Sequence, residues 1–334
     1  MSLMNRDIKK IAIVRLSALG DIVNSAVVLQ FIHKYYPNAK IDWICEEVFS
    51  DILKEHPHIN ALYTINLKRV KKERSFKLLK ETIAHLRSLG EYDLVIDMQG
   101  LIKSAIVSRL ISKNTYGFDK NSTREPLAAL FYKEHAKIPY QANVVERNCH
   151  IVGSALGFTI DREMLLNKET LFPITKNFEL RSDKKNIAFV IGASWESKIY
   201  PKERVAEVCD ALQEQCYIIW GSEQERERAL WITKHSKYAS LAPSLSLLEL
   251  CSFISNMDLL IGNDTGPTHM AWAQNIASIT LLGPTTTRMI YETPKNIGIK
   301  SPSKVNILKI DKEDYSIKDI EPQDIIDKAK ELLS

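Results

Sequence analysis

The chain has 334 residues, 45% of them hydrophobic and 26% charged, with a formal charge of +4. That balance excludes a disordered or fibrous chain, and the length exceeds what one core usually supports, so two domains with a cleft between them are expected. A charge of +4 on so long a chain does not signal nucleic-acid binding, which concentrates basic residues strongly, and no nucleic-acid partner is expected.

In chain order, residues 10–16 form a short apolar run and residues 22–34 carry Val23, Val27, Leu29 and Ile32 at helical spacing, which predicts a βα unit. Met1-Ser2-Leu3 ahead of Met4 reads as an added leader and is set aside. Residues 41–45 and 94–97 are further strand candidates, the second followed by a helix over 101–111. These runs alternate little, as in a parallel sheet covered on both faces. A polar stretch at 176–186 opens a second series, with strands expected at 187–191, 217–220, 259–261 and 278–282. The sequence thus predicts an α/β protein of two doubly wound parallel-sheet, Rossmann-like domains, residues 4–175 and 186–318, joined by a linker near 172–186. A last helix over 322–333, within a tail 319–334, is free to pack on either domain, the N-terminal one included.

Five cysteines, Cys45, Cys149, Cys209, Cys216 and Cys251, lack CxxC spacing, which fits a reducing cytoplasm. No apolar run reaches the roughly 20 residues of a membrane span. Neither a metal-ligand cluster nor an Asp-x-Asp beside a strand is present, so no essential metal and no cofactor are expected. GxGxxG and GxxxxGK[ST] are absent, which disfavours nicotinamide and P-loop enzymes.

Candidate chemistry lies where strands hand over to helices. Ser17-Ala18-Leu19-Gly20-Asp21 follows the first strand; Asp21 suits a general base, and equally a first-turn carboxylate favoured by the helix dipole. Residues 263–269 (NDTGPTH) lead from a strand into a helix with Pro267 near its first position. Free amides there would face a diphosphate. Thr265 and His269, four apart, share one helix face, whereas the plain alternative is an N-cap beside a structural histidine. Lys198, in a loop after a strand, suits a leaving diphosphate or simple solvation. Glu225, beyond Trp220-Gly221, suits a ribose or a helix start. Residues 68–77 hold six basic side chains against Glu73, with Phe76 interleaved, which suits acidic groups of a membrane-anchored substrate or a solvated helix. Arg124 and Arg147 are either anion clamps or halves of salt bridges.

Taken together, residues 13–23 (IVRLSALGDIV), 95–105 (VIDMQGLIKSA), 123–132 (TREPLAALFY), 145–147, 198–201, Trp220-Gly221 and Asp264-Thr265-Gly266 with His269 resemble the ADP-heptose glycosyltransferases of lipopolysaccharide inner-core synthesis, the second and third stretches pointing to their type I branch. The resemblance implies a GT-B fold, acceptor on the N-terminal domain and ADP-heptose on the C-terminal one. It implies inverting transfer of heptose to the Kdo of Kdo-bearing lipid A, with Asp21 as base and Lys198 assisting diphosphate departure. Donor contacts would come from Ser17, Ser194, Lys198, Glu225, Asp264, Thr265, Gly266 and His269, and acceptor contacts from Lys68, Arg69, Lys71, Arg124 and Arg147. A cytoplasmic protein, peripheral at the inner face of the membrane, follows from the lipid-linked acceptor. The chain departs from the family pattern at Ala18 and at Ala193-Ser194. A type II enzyme acting on a heptose acceptor and a non-catalytic nucleotide-sugar-binding protein are the competing readings.

Overall fold

A computed structural model describes residues 8–334, so the opening Met1-Ser2-Leu3 lies outside them. The chain divides into two compact units that part between Leu171 and Phe172.

The first unit runs β1 (Lys10–Val14), α1 (Leu19–Ala26), α2 (Val28–Tyr35), β2 (Lys40–Glu46), β3 (Ala61–Ile65), α3 (Leu67–Glu73), α4 (Phe76–Arg87), β4 (Leu94–Asp97), α5 (Ile102–Ile111), β5 (Thr115–Phe118), β6 (Glu134–Ala136), α6 (Val144–Leu156) and α7 (Arg162–Leu166), with 3-10 turns at Glu47–Leu53 and Pro126–Phe131. Its six strands are parallel in the order β3-β2-β1-β4-β5-β6. Ile11, Ala12, Ile13 and Val14 are all fully buried, as an apolar run covered on both faces requires. Strand order reverses between β1 and β4, and Val14 pairs with Asp97 there. The segments after Val14 and Asp97 therefore leave the sheet side by side, the place where doubly wound sheets hold ligands. The one helix expected over 22–34 is two, α1 and α2, meeting at Val27. Ser25 Oγ donates to the Asp21 carbonyl at 2.6 Å, back-bonding of the kind that bends helices.

The second unit runs β7 (Asn186–Val190), α8 (Lys202–Leu212), β8 (Gln215–Ile219), α9 (Glu223–His235), β9 (Ala239–Leu241), α10 (Leu247–Ile254), β10 (Leu259–Asn263), α11 (Gly266–Ala273), β11 (Ala277–Leu282), β12 (Asn296–Lys300) and α12 (Pro322–Leu333), with 3-10 turns at Glu196–Lys198, Thr287–Met289 and Ser316–Asp319. The parallel order β9-β8-β7-β10-β11-β12 repeats the topology of the first sheet, with its reversal between β7 and β10.

Two expectations need correction. The stretch expected as a linker begins on the second unit: Phe172 is buried and exchanges backbone bonds with the Gln274 amide, and Thr175 N–H donates to Ser252. The last helix packs within the second unit against α8, β10 and β11, with Ile325 and Ala329 in the same core as Val205 and Ile317. Its apolar stripe is satisfied there.

Candidate functional site

At the reversal point of the first sheet, Arg15 Nη2 stands 2.7 Å from Asp21 Oδ1, and Arg15 Nη1 also donates to the Met98 carbonyl. Asp21 Oδ2 accepts the Ala18 N–H at 3.3 Å. Asp21 is thus the first-turn carboxylate of α1 and also a partly exposed, oriented group at the sheet's carboxyl edge; the two readings of its sequence describe one residue. Gln99 bridges the two strand ends, its Oε1 accepting Leu16 N–H at 2.9 Å and its Nε2 donating to Ser17 Oγ at 3.4 Å. Lys103 Nζ donates to the same Ser17 oxygen at 3.1 Å. Asp97 braces this turn from below, accepting the Gln99 and Gly100 amides and the Tyr132 hydroxyl. Burial pushes its carboxyl up, against those hydrogen bonds.

Lys68, Arg69 and Lys71 lie on α3, which starts where β3 ends and has no buried residue. Asn66 caps it through Arg69 N–H, and Arg69 pairs with Glu73 at 2.7 Å. Beneath it lies the buried Glu46, at the end of β2. Burial pushes Glu46 up, while the ammonium groups of Lys103 and Lys68 and the amides of Leu67 and Lys68 pull it down. Arg124 is exposed beyond β5. Arg147 is a correction. It is buried, its guanidinium donates to the carbonyls of Ser122 (2.6 Å), Pro139 (2.8 Å) and Ile138 (3.4 Å), and it lies over the Phe118 and Tyr140 rings. Those donors shape the loops around Ser122 and are not presented to an acceptor.

In the second unit, Lys198 and Asp264 are 7% and 3% exposed, and Lys198 Nζ reaches Asp264 Oδ2 at 2.9 Å. His269 Nε2 lies 3.1 Å from the other carboxylate oxygen. Burial pushes Asp264 up, but the Lys198 charge and the His269 hydrogen bond outweigh it and hold the carboxyl below the usual range. With both oxygens engaged, Asp264 positions Lys198 and His269 instead of meeting an anion itself. The solvated alternative for Lys198 is thereby set aside. Thr265 is the N-cap of α11, yet its hydroxyl makes no cap bond. That hydroxyl and the first-turn amides of α11, Gly266 among them, are what an anion would meet. Asn263 joins β10 to β7, its Nδ2 donating to the Ile191 and Gly192 carbonyls.

Glu225 sits on α9 and accepts Gly221 N–H at 2.7 Å. Its other oxygen lies so close to Gly192 that a Cβ there would come within 2.3 Å. A glycine at the end of β7 is what admits that carboxylate to the strand ends. Ser194, two residues on, is exposed and has no hydrogen bond among the described residues.

The structure therefore gathers Ser17 and Asp21 in one group, and Lys198, Asp264, Thr265, Gly266 and His269 in another, with Glu225 and Ser194 on the same sheet edge as the latter. Arg15, Glu46, Gln99, Lys103 and Gly192 were missed by sequence reasoning. Arg15 lies at the end of the first predicted strand and Gln99 just beyond the one at 94–97, so the reversal-point rule applied to strand ends would have found them. Among the described residues no His, Cys, Asp and Glu cluster is arranged to hold a metal ion.

The model of glycosyltransferase family 9 (heptosyltransferase) matches residues 82–316. Lipopolysaccharide heptosyltransferase 1 of Campylobacter coli is 40% identical, over 97% of this chain and 98% of that protein. The protein of the same description from Pseudomonas aeruginosa is 29% identical, over 83% of this chain and 79% of its own length. Among solved structures, an E. coli heptosyltransferase with ADP-2-deoxy-2-fluoro heptose superposes with a TM-score of 0.79 at 24% identity, covering 96% of this chain and 99% of that one. Its fold is the GT-B fold expected from the sequence.

Proposed function

The chain belongs to glycosyltransferase family 9, the heptosyltransferase family, and is a glycosyltransferase; on that premise we propose that it moves L-glycero-D-manno-heptose from ADP-heptose to the Kdo of Kdo-bearing lipid A, with inversion and without a metal ion. The observation that carries the reading is the buried Lys198–Asp264–His269 cluster at the N-terminus of α11. It places a held cation beside a helix start, the combination a departing diphosphate needs.

In this reading Asp21 takes the proton of the acceptor hydroxyl. The freed oxygen attacks the anomeric carbon, and the bond from that carbon to the β-phosphate oxygen breaks with its electron pair passing to ADP. Lys198 offsets the charge that develops on the leaving group, and the α11 first turn and Thr265 hold it. Glu225, with one oxygen fixed by Gly221, takes a hydroxyl of the donor's ribose. Arg15 and Gln99 keep Asp21 and Ser17 in place. Lys68, Arg69, Lys71 and Arg124 meet the acidic acceptor. The metal-free assignment rests on Lys198 and α11 supplying the positive charge a metal would bring.

No helix among the described residues is long and apolar enough to cross a membrane. With a lipid-linked acceptor the enzyme then works as a peripheral protein at the inner face of the cytoplasmic membrane. The test is transfer from ADP-heptose to Kdo-bearing lipid A by wild type and by Asp21→Asn, with donor binding measured by calorimetry. The reading expects wild-type product and, in the variant, near-normal donor affinity with turnover down about 100-fold or more. An unaffected rate removes Asp21 as the base.

A further inference from the structure

One layer of the first unit carries features that neither folding nor the site explains. Helix α4 packs on α5, and α5 on the turn Pro126–Phe131, so the three lie side by side. Phe76 (81% exposed) and Leu79 project from α4, Ile106 from α5, and Leu127 (61%) and Leu130 (80%) from the turn. Leu127 and Leu130 are three apart, which puts them on one side of a 3-10 turn. Single exposed apolar side chains are ordinary, but five large ones in one layer mark an interaction surface.

The same layer is strongly basic. Residues 67–87 hold eight Lys and Arg against two Glu, and residues 101–113 hold three against none. The first stretch alone carries more net positive charge than the +4 of the whole chain. Arg69 and Lys77 are offset by Glu73 and Glu81. Lys80, Arg109 and Lys113 are exposed and have no ion pair among the described residues.

We infer that α4, α5 and the turn Pro126–Phe131 form a docking surface for an anionic lipid bilayer. The inference rests on the reading that the acceptor is lipid-linked, and adds which face meets the membrane and what lipid chemistry it selects. Protein interfaces are depleted in lysine at their cores, whereas basic side chains around exposed Phe and Leu are what lie down on an anionic headgroup layer. A second copy of this chain would bring the same positive charge. The layer is also continuous with the acceptor candidates: α3, with Lys68, Arg69 and Lys71, packs on α4, and Arg124 directly precedes the turn. Docking here sets those side chains at the lipid surface.

The experiment is flotation of the full chain with phosphatidylcholine vesicles, with and without phosphatidylglycerol, alongside turnover on a deacylated, water-soluble Kdo-bearing acceptor. Wild type is expected to float with the anionic vesicles and to be released by salt. Leu127→Ser with Leu130→Ser lowers partitioning about tenfold or more. Lys80→Gln and Arg109→Gln each lower it about fivefold. All leave turnover on the soluble acceptor unchanged. Should the leucine pair unfold, Phe76→Ser with Leu79→Ser tests the same surface from α4. Variants that float like wild type, or equal binding to neutral and anionic vesicles, overturn the inference. So does concentration-dependent self-association that the leucine variants abolish without any vesicle binding, which would assign the face to a second copy. Absence of wild-type turnover on any Kdo acceptor defeats the transfer reading and leaves the flotation result to be judged separately.

Discussion

Replacing Lys198 by glutamine separates the two things its ammonium does. In the folded chain Asp264 is buried with Lys198 at 2.9 Å and His269 at 3.1 Å. Removing one member of a buried pair leaves a carboxylate without its counter-charge, at a cost of about 3–5 kcal/mol. His269 remains and the glutamine amide donates one hydrogen bond, so the low end, about 3 kcal/mol, is expected. The catalytic effect is distinct: a charge aimed at a leaving group is worth about 100- to 1000-fold in kcat. The pH dependence adds a third readout. Ionised Asp264, held below its ordinary value in the fold, contributes stability that is present above about pH 4 and is lost as pH falls below it. Without Lys198 the depression shrinks, and this acid loss becomes smaller. Denaturant melts across pH, with kcat measured where the variant is folded, check all three. An unchanged kcat in a folded variant, or a loss that only tracks the unfolded fraction, refutes the leaving-group role.

Gly192→Ala puts a methyl within 2.3 Å of a Glu225 oxygen, so Glu225 swings away from the Gly221 amide. Donor KM should rise about tenfold with kcat nearly kept, and steady-state kinetics with an unchanged donor KM would remove Glu225 from the donor site. Arg147→Met leaves the buried Ser122 carbonyl and the more accessible Ile138 and Pro139 carbonyls without their guanidinium donor and should cost about 2 kcal/mol while acceptor KM stays constant in the folded enzyme. A raised acceptor KM would return Arg147 to the binding set. His56 is buried, and burial, then repulsion from His58, hold it down to about 4 against the Leu171 carbonyl. The unfolded imidazole protonates near 6.5 and the folded one only near 4, so stability falls by about 3 kcal/mol as pH drops through that window. His56→Gln should flatten this slope in urea melts, and an unaltered slope would move the titration to another group.

The central strands were legible because β1, β2, β4, β7, β8, β10 and β11 are buried on both sides and read as apolar runs. The outer ones were not. β3 is only half-buried and β6 and β9 have three residues each, while β5 is interrupted by Gly117, where a side chain would meet the Tyr132 ring at 2.2 Å. Among site residues, Asp21 and the 263–269 segment announced themselves by following a strand. The partnership of Lys198 with Asp264, 66 residues apart, has no local spacing to reveal it. Gln99 carries no charge, and its two side-chain hydrogen bonds exist only because β1 and β4 end side by side. Arg147 shows the opposite failure: an anion clamp or half of a salt bridge was expected, but its guanidinium is consumed by carbonyls of Ser122, Ile138 and Pro139, which only the fold assembles.

Metal-independent transfer to Kdo is tested by offering ADP-heptose with Kdo-bearing lipid A and, in parallel, with the already heptosylated acceptor, both in the presence of chelator. Product on the first alone is the predicted result. Product on the heptosylated acceptor alone, on neither, or only when chelator is omitted would contradict it.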